Sequence, residues 1–300
     1  FFLLIGLELE RELYNGELSS FSNALLPLIA AVGGMAMPAL LYWALNHGTA
    51  YQSGIGIPMA TDIAFALGVL SMLGQRVPPA LKVFLVAFAV IDDLGAALMI
   101  ALFYTASISM PYLLAALSVW IFLLILNRLR VMHMLPYLMG GALMWWLTLQ
   151  SGVHATLAGI ALAFAIPFSA RQDDTASPSH RLEHILHKPV TFLIMPLFAF
   201  ANTGVLLSVN TLQTFLHQDY SLGILAGLLI GKPLGVFVAT LLAVWIGLVR
   251  LPEDVPCSHI AGAGMLGGIG FTMSIFVTNL AFADQTTVIN TAKIAILGGS

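Results

Sequence analysis

An all-α, polytopic membrane fold is what this sequence predicts, on three observations. Of its 300 residues 59% are hydrophobic and only 8% charged, whereas soluble domains carry roughly 25% charged residues. Apolar segments of about 17–25 residues follow one another, the length that crosses ~30 Å of hydrocarbon as helix. The basic residues gather at alternate segment ends. The ten-residue strand alternation of a membrane barrel is absent.

Glycine, proline and polar clusters punctuate the chain into spans near 1–14, 21–45, 57–74, 79–104, 111–127, 134–148, 153–169, 189–208, 221–247, 259–282 and 288–300. The first begins FFLLIGL before Glu8 and the last is VINTAKIAILGGS. Both are too short to span, so the chain is expected to be a fragment cut inside two helices. One membrane domain over residues 1–300 is expected. The single long polar stretch, Ser169 to Lys188, reads as a surface loop carrying a short helix. One cysteine, Cys257, excludes an internal disulfide framework.

Arg11, Arg76, Lys82, Arg128, Arg130, Arg171, Arg181, Lys188 and Arg250 fall on one set of segment ends or loops. The opposite ends, near Asn46, Ala106, Gln150, Asn210 and Asp284, carry none. Positive residues favour the cytoplasm, so the basic side is read as cytoplasmic.

Lys232 and Lys293 lie within spans, and Asp62, Asp92, Asp93 and Lys232 are the charges set at mid-span. A mid-membrane charge costs about 2.5–3.5 kcal/mol on insertion scales and commonly marks an ion or substrate path. AVIDDLGAAL holds Asp92 and Asp93, GIGIPMATDIAFALG holds Thr61 and Asp62, and LLIGKPLG holds Lys232. Successive helical residues point about 100° apart, so one aspartate can line a cavity while its neighbour meets a partner. A purely structural Asp–Lys pair leaves one acid unexplained. Gly54, Gly56 and Pro58 precede Asp62, and Gly262, Gly264, Gly267, Gly268 and Gly270 crowd a later span. Close helix packing explains glycines; with Asp62 beside them, two interrupted helices explain more. An anion such as Asp62 balances half-helix N-termini, and a cation such as Lys232 balances C-termini.

PMATDIAFALGVLSMLG, FAVIDDLGAALMIALFYT, SGVHATLAG, RLEHILH, MPLFAFANTGV, GLLIGKPLG and GGIGFTMSIF together resemble the NhaA-type bacterial sodium/proton antiporters. The resemblance runs through nearly the whole chain. It implies a twelve-helix inverted-repeat transporter fold, with two interrupted helices crossing at mid-membrane. The first helix, the hairpin after it and most of the last helix would be missing here. Carried over by motif, Asp92 and Asp93 form the ion site, with Asp93 favoured as the Na⁺ ligand. Lys232 pairs with Asp92, Thr61 and Asp62 occupy the crossing, and Gly268 and Gly270 supply broken-helix backbone.

The activity implied is electrogenic, pH-activated exchange of cytoplasmic Na⁺ or Li⁺ for external H⁺, in the bacterial inner membrane, serving sodium and pH homeostasis. No cofactor, enzymatic activity or nucleic-acid partner is expected. The lipid bilayer is the partner, with a homodimer weakened where the N-terminal hairpin is absent. Burial favours the neutral acid and a nearby ammonium the carboxylate, so a site balanced between them holds protons or Na⁺, never both.

HRLEHILH sets His180, His184 and His187 at i, i+4 and i+7 with Glu183 adjacent. The resemblance implies activation by rising pH through a cytoplasmic-side network, and with histidine titrating near neutrality, Glu8, Glu12, Glu183, His184 and His187 are assigned to it. A solvated loop helix with incidental histidines is the plain alternative, and a zinc site has no further support. Glu10 stands where many relatives carry a basic residue, a change expected to touch the pH response. His154 reads as an interfacial structural residue.

Three rivals remain from this reading. An intramembrane aspartyl protease using Asp62 and Asp92 leaves the doublet unexplained and sets Lys232 against the shared proton. A sodium-coupled solute symporter requires a sizeable midplane cavity. A scaffold leaves the buried charges without purpose.

Overall fold

The computed structural model describes residues 1–105, 108–169, 177–205, 215, 217–252, 254–283 and 285–300. The loop markers Ala106, Arg171, Asn210 and Asp284 lie outside them. The described elements are helical. Among the described residues six helices are long and apolar enough to cross a membrane: Phe21–Asn46, Gln52–Met72, Pro79–Phe103, Met110–Arg128, Pro178–Asn202 and Asp219–Trp245. A seventh candidate is the pair Cys257–Gly267 and Phe271–Ala281, bent by 46°. The expected spans at both ends and near 153–169 are helices of 14, 14 and 8 residues, shorter than a crossing needs.

The chain divides into two compact units. The first comprises Phe1–Ser19 and Ala97–Leu197. It contains α1 (Phe2–Asn15), the end of α4 (Pro79–Phe103), α5 (Met110–Arg128), α6 (Met134–Gln150), α7 (Thr156–Ala163) and α8 (Pro178–Pro189). Its core joins Leu7, Leu123, Tyr137, Ala163 and Ile166. Gly6 allows α1 to lie close on α7: a Cβ there would meet the Ala163 methyl at 2.6 Å. The Trp120 indole N–H donates to the Ala161 carbonyl at 2.7 Å, so this buried donor is satisfied.

The short helix expected within Ser169–Lys188 is α8, and it continues past Lys188. Ser177 caps α8, accepting from His180 N at 3.4 Å with Pro178 in the first turn. From Pro189 the helix passes through a π turn, Val190–Ile194, into α9 (Met195–Asn202). Proline lacks the N–H that the regular ladder uses, and the wider turn accommodates it.

The second unit comprises Ser20–Ala96 and Phe198–Ser300. Its helices are α2 (Phe21–Asn46), α3 (Ile63–Met72), most of α4, α9, α10 (Asp219–Ala226), α11 (Lys232–Trp245), α12 (Cys257–Gly267), α13 (Phe271–Ala281) and α14 (Thr286–Gly299). Phe88, Val236, Ile260 and Ala263 lie at its core. Side chains at Gly33 or Gly235 would collide with the facing helix, the small-residue contact that lets membrane helices approach closely.

Both interrupted segments belong to this unit. The first is a 3₁₀ helix, Gln52–Met59, an extended linker and then α3. The second is α12, a break at Gly268–Gly270, and α13. The linkers touch: Asp62 N donates to Ile269 O at 2.7 Å, and the Thr61 hydroxyl donates to Gly267 O at 2.8 Å.

Candidate ion site

The site is built on α4, which carries the doublet. Asp92 is fully buried and Asp93 is 2% exposed. Asp92 Oδ2 accepts from Lys232 Nζ at 2.7 Å, with both side chains wholly enclosed. Thr61 lies against Asp92, and Asp93 is near enough to act on the lysine's charge. Asp92 Oδ1 is buried and has no hydrogen-bond partner. A buried anionic oxygen with an open lone pair is costly unless a proton or cation reaches it.

Lys232 begins α11 directly after a second π turn, Gly227–Gly231. Such turns redirect side chains and recur at functional sites. Its ammonium also donates to the Met59 carbonyl, the last residue of the 3₁₀ half-helix. The cation thus sits at a helix C-terminus, where the macrodipole favours it.

Asp62 does the reverse. It caps α3 by accepting from Phe65 N at 3.2 Å. Its second oxygen accepts from Thr272 N at 3.1 Å and from the Thr272 hydroxyl. Thr272 lies in the first turn of α13, so one carboxylate serves two half-helix N-termini. The Ser300 hydroxyl accepts from Gly270 N and Phe271 N at 3.2 and 3.1 Å. Glycine is required at the break: a Cβ on Gly268 would stand 2.6 Å from the Leu228 carbonyl oxygen. One on Gly270 would run into Ser274 Oγ and the Ala60 carbonyl.

The residues assigned to pH sensing lie in the first unit. Glu183 is buried and accepts from Arg11. Arg11 also reaches Glu12 at 3.6 Å, and Glu8 feels the charges of Arg11, Glu183 and Glu12. His180 Nδ1 stands 3.9 Å from Glu183. His184 and His187 are exposed, while Ser179, Leu182 and Glu183 occupy the inward face of α8. Glu10 is 4% exposed and accepts from the Ser179 hydroxyl at 3.0 Å. His154 Nδ1 pairs with Thr156 Oγ1 at 3.2 Å. Among the described residues, no three His, Cys, Asp or Glu are grouped to hold a metal ion.

The family model described as Na+/H+ antiporter 1 matches residues 1–300. The chain belongs to this antiporter family. The Na(+)/H(+) antiporter NhaA of Dechloromonas aromatica (strain RCB) is 63% identical over 301 residues, covering 100% of this chain and 77% of the relative. The NhaA of Flavobacterium psychrophilum is 58% identical over 297 residues, 99% of this chain and 76% of its own length. That of Helicobacter pylori (strain J99) is 47% identical over 339 residues, covering 100% and 77%. An antiporter family, a multi-pass bacterial membrane protein and an all-α fold agree with the reading from residues.

Of the residues singled out in the sequence, Thr61, Asp62, Asp92, Asp93, Lys232, Gly268 and Gly270 share the second unit. Glu8, Glu12 and Glu183 share the first. Sequence reading missed Thr272, the Met59 carbonyl and the Ser179–Glu10 bond. Only Thr272 left a signal, a hydroxyl residue just after a glycine break.

Proposed function

We propose that the chain exchanges cytoplasmic Na⁺ or Li⁺ for external H⁺ at Asp92 and Asp93, moving net charge in each cycle. The observation that carries this is the enclosed Asp92–Lys232 pair, with one Asp92 oxygen left open and a second buried acid beside it. Na⁺ is a hard cation and takes oxygen ligands. The two carboxylates, with nearby Thr61, offer an oxygen-only set. Protonated, the acids have no use for the ion; ionised, they bind it.

The second proton belongs to the Asp92–Lys232 pair acting as one unit. When Na⁺ engages Asp92, the ammonium loses its counter-ion inside a low-dielectric site, and releasing a proton relieves it. More than one proton for each Na⁺ makes the exchange electrogenic. The membrane potential then contributes about 2.3 kcal/mol per charge per 100 mV toward expelling Na⁺. Asp62, its oxygens engaged by both half-helix N-termini, positions the linkers instead of carrying the ion. Glu8, Arg11, Glu12 and Glu183 set the pH response, with the basic loops on the cytoplasmic side of the inner membrane.

Proteoliposomes test this. Na⁺ or Li⁺, but not K⁺, should dissipate an imposed pH gradient, and Asp93→Asn should abolish the flux. Normal flux in Asp93→Asn refutes the site.

A further inference from the structure

On the second unit, the end of α3, the turn after it, the first two turns of α4 and one face of α12 surround a half-open cavity of about 320 Å³. Leu70, Leu85, Ala263 and Leu266 form its apolar walls. Leu73 and Met265, also part of the lining, are exposed, so it opens on an apolar surface. Polarity is confined to Arg76, Ser258 and His259. Arg76 is exposed, and among the described residues it has no ion-pair partner. His259 Nδ1 is enclosed without a hydrogen-bond partner.

No Na⁺ path is built this way. The lining offers no carboxylate and the guanidinium repels cations. Water gains little in an apolar slot, since it needs two or more polar partners. The lining asks for one molecule with a hydrocarbon part and an anionic part. Arg76 is among the residues that mark the cytoplasmic side, where anionic phospholipids collect and basic pockets between helices hold their headgroups.

We propose that this cavity binds an anionic phospholipid, with one acyl chain between α3, α4 and α12 and its phosphate on Arg76. Arginine's planar fork matches phosphate oxygens two at a time. Leu85 lies two turns before Asp92 on the same face of α4. The acyl chain therefore packs beneath the ion site without entering it.

Native mass spectrometry of the whole chain, with phosphatidylglycerol and phosphatidylcholine offered equally, tests this. The expected result is preferential retention of phosphatidylglycerol. Arg76→Gln should reduce that preference about fivefold, the effect of one basic residue at an anionic surface. Arg128→Gln should leave it unchanged. Gly262 lines the cavity and a Cβ there meets nothing within 4 Å. Gly262→Leu should therefore fill the slot and lower retention of both lipids, while thermal melting holds or rises. Unchanged preference in Arg76→Gln, equal loss in Arg128→Gln or normal retention in Gly262→Leu overturns the proposal. So does competition by glycerol phosphate as strong as by intact lipid, which would make the ligand a free anion.

Discussion

Each unit contains an acid–base pair joining distant segments of the chain, and the two pairs live in different solvents. Lys232 and Asp92 expose nothing, whereas Arg11 is 38% exposed and Glu183 10%. The enclosed pair is tied into broken helix ends: the ammonium on the Met59 carbonyl and Asp62 on the N-termini of α3 and α13. The open pair belongs to a run of acids at one end of α1. Water screens the second and not the first. An enclosed acid changes charge only by trading one cation for another, while a half-open cluster follows the pH of the solution around it.

The comparison breaks first at the pairs themselves. Lys232→Ala should destabilise the protein by about 3–5 kcal/mol, because Asp92 is left buried without its cation. Arg11→Ala should cost only about 0.2–1 kcal/mol. Thermal denaturation in detergent measures both, and equal losses would mean that enclosure does not separate them. Backbone room comes next. Gly268→Ala should cost about 1–3 kcal/mol by overpacking against Leu228 and should slow transport. Gly262→Ala, in open space on the preceding helix, should gain up to about 1 kcal/mol.

Thr272→Val removes a hydroxyl bonded to the Asp62 carboxylate but keeps the backbone N–H. A loss of about 1.5–3 kcal/mol is expected for a bond to a charged group, read from the same melts. A value near zero would release Asp62 from its two-helix role.

The smallest change in stability should carry the clearest pH signature. Glu183→Ala takes a negative charge from beside Glu8 and Glu12 and frees Arg11 for them. Glu8 then ionises at lower pH, so the pH–activity curve should move toward acid with its maximum unchanged. Glu10→Gln should shift the same curve without altering Na⁺ saturation. If neither variant moves the curve in a flux assay across pH, the half-open cluster is not the sensor.

The enclosed site was legible because lipid makes its residues conspicuous. Asp62, Asp92, Asp93 and Lys232 have no place in a span unless something inside needs them, and Gly268 and Gly270 mark a break. Backbone partners were not legible: any residue has a carbonyl, so nothing singles out Met59. The histidines of HRLEHILH show a related limit. Their spacing defines a face of α8 but not which face turns inward, and Ser179, Leu182 and Glu183 took the interior. Pro189 resembled a helix start and instead adjoins a π turn inside one long helix.

Proton release on Na⁺ addition, followed in weakly buffered detergent solution with purified protein, bears most directly on competition at Asp92 and Asp93. More than one proton should appear per Na⁺ bound, fewer than one with K⁺, and none with Na⁺ in Asp93→Asn. Na⁺ binding without proton release, or undiminished release from Asp93→Asn, would contradict a shared site for the two ions.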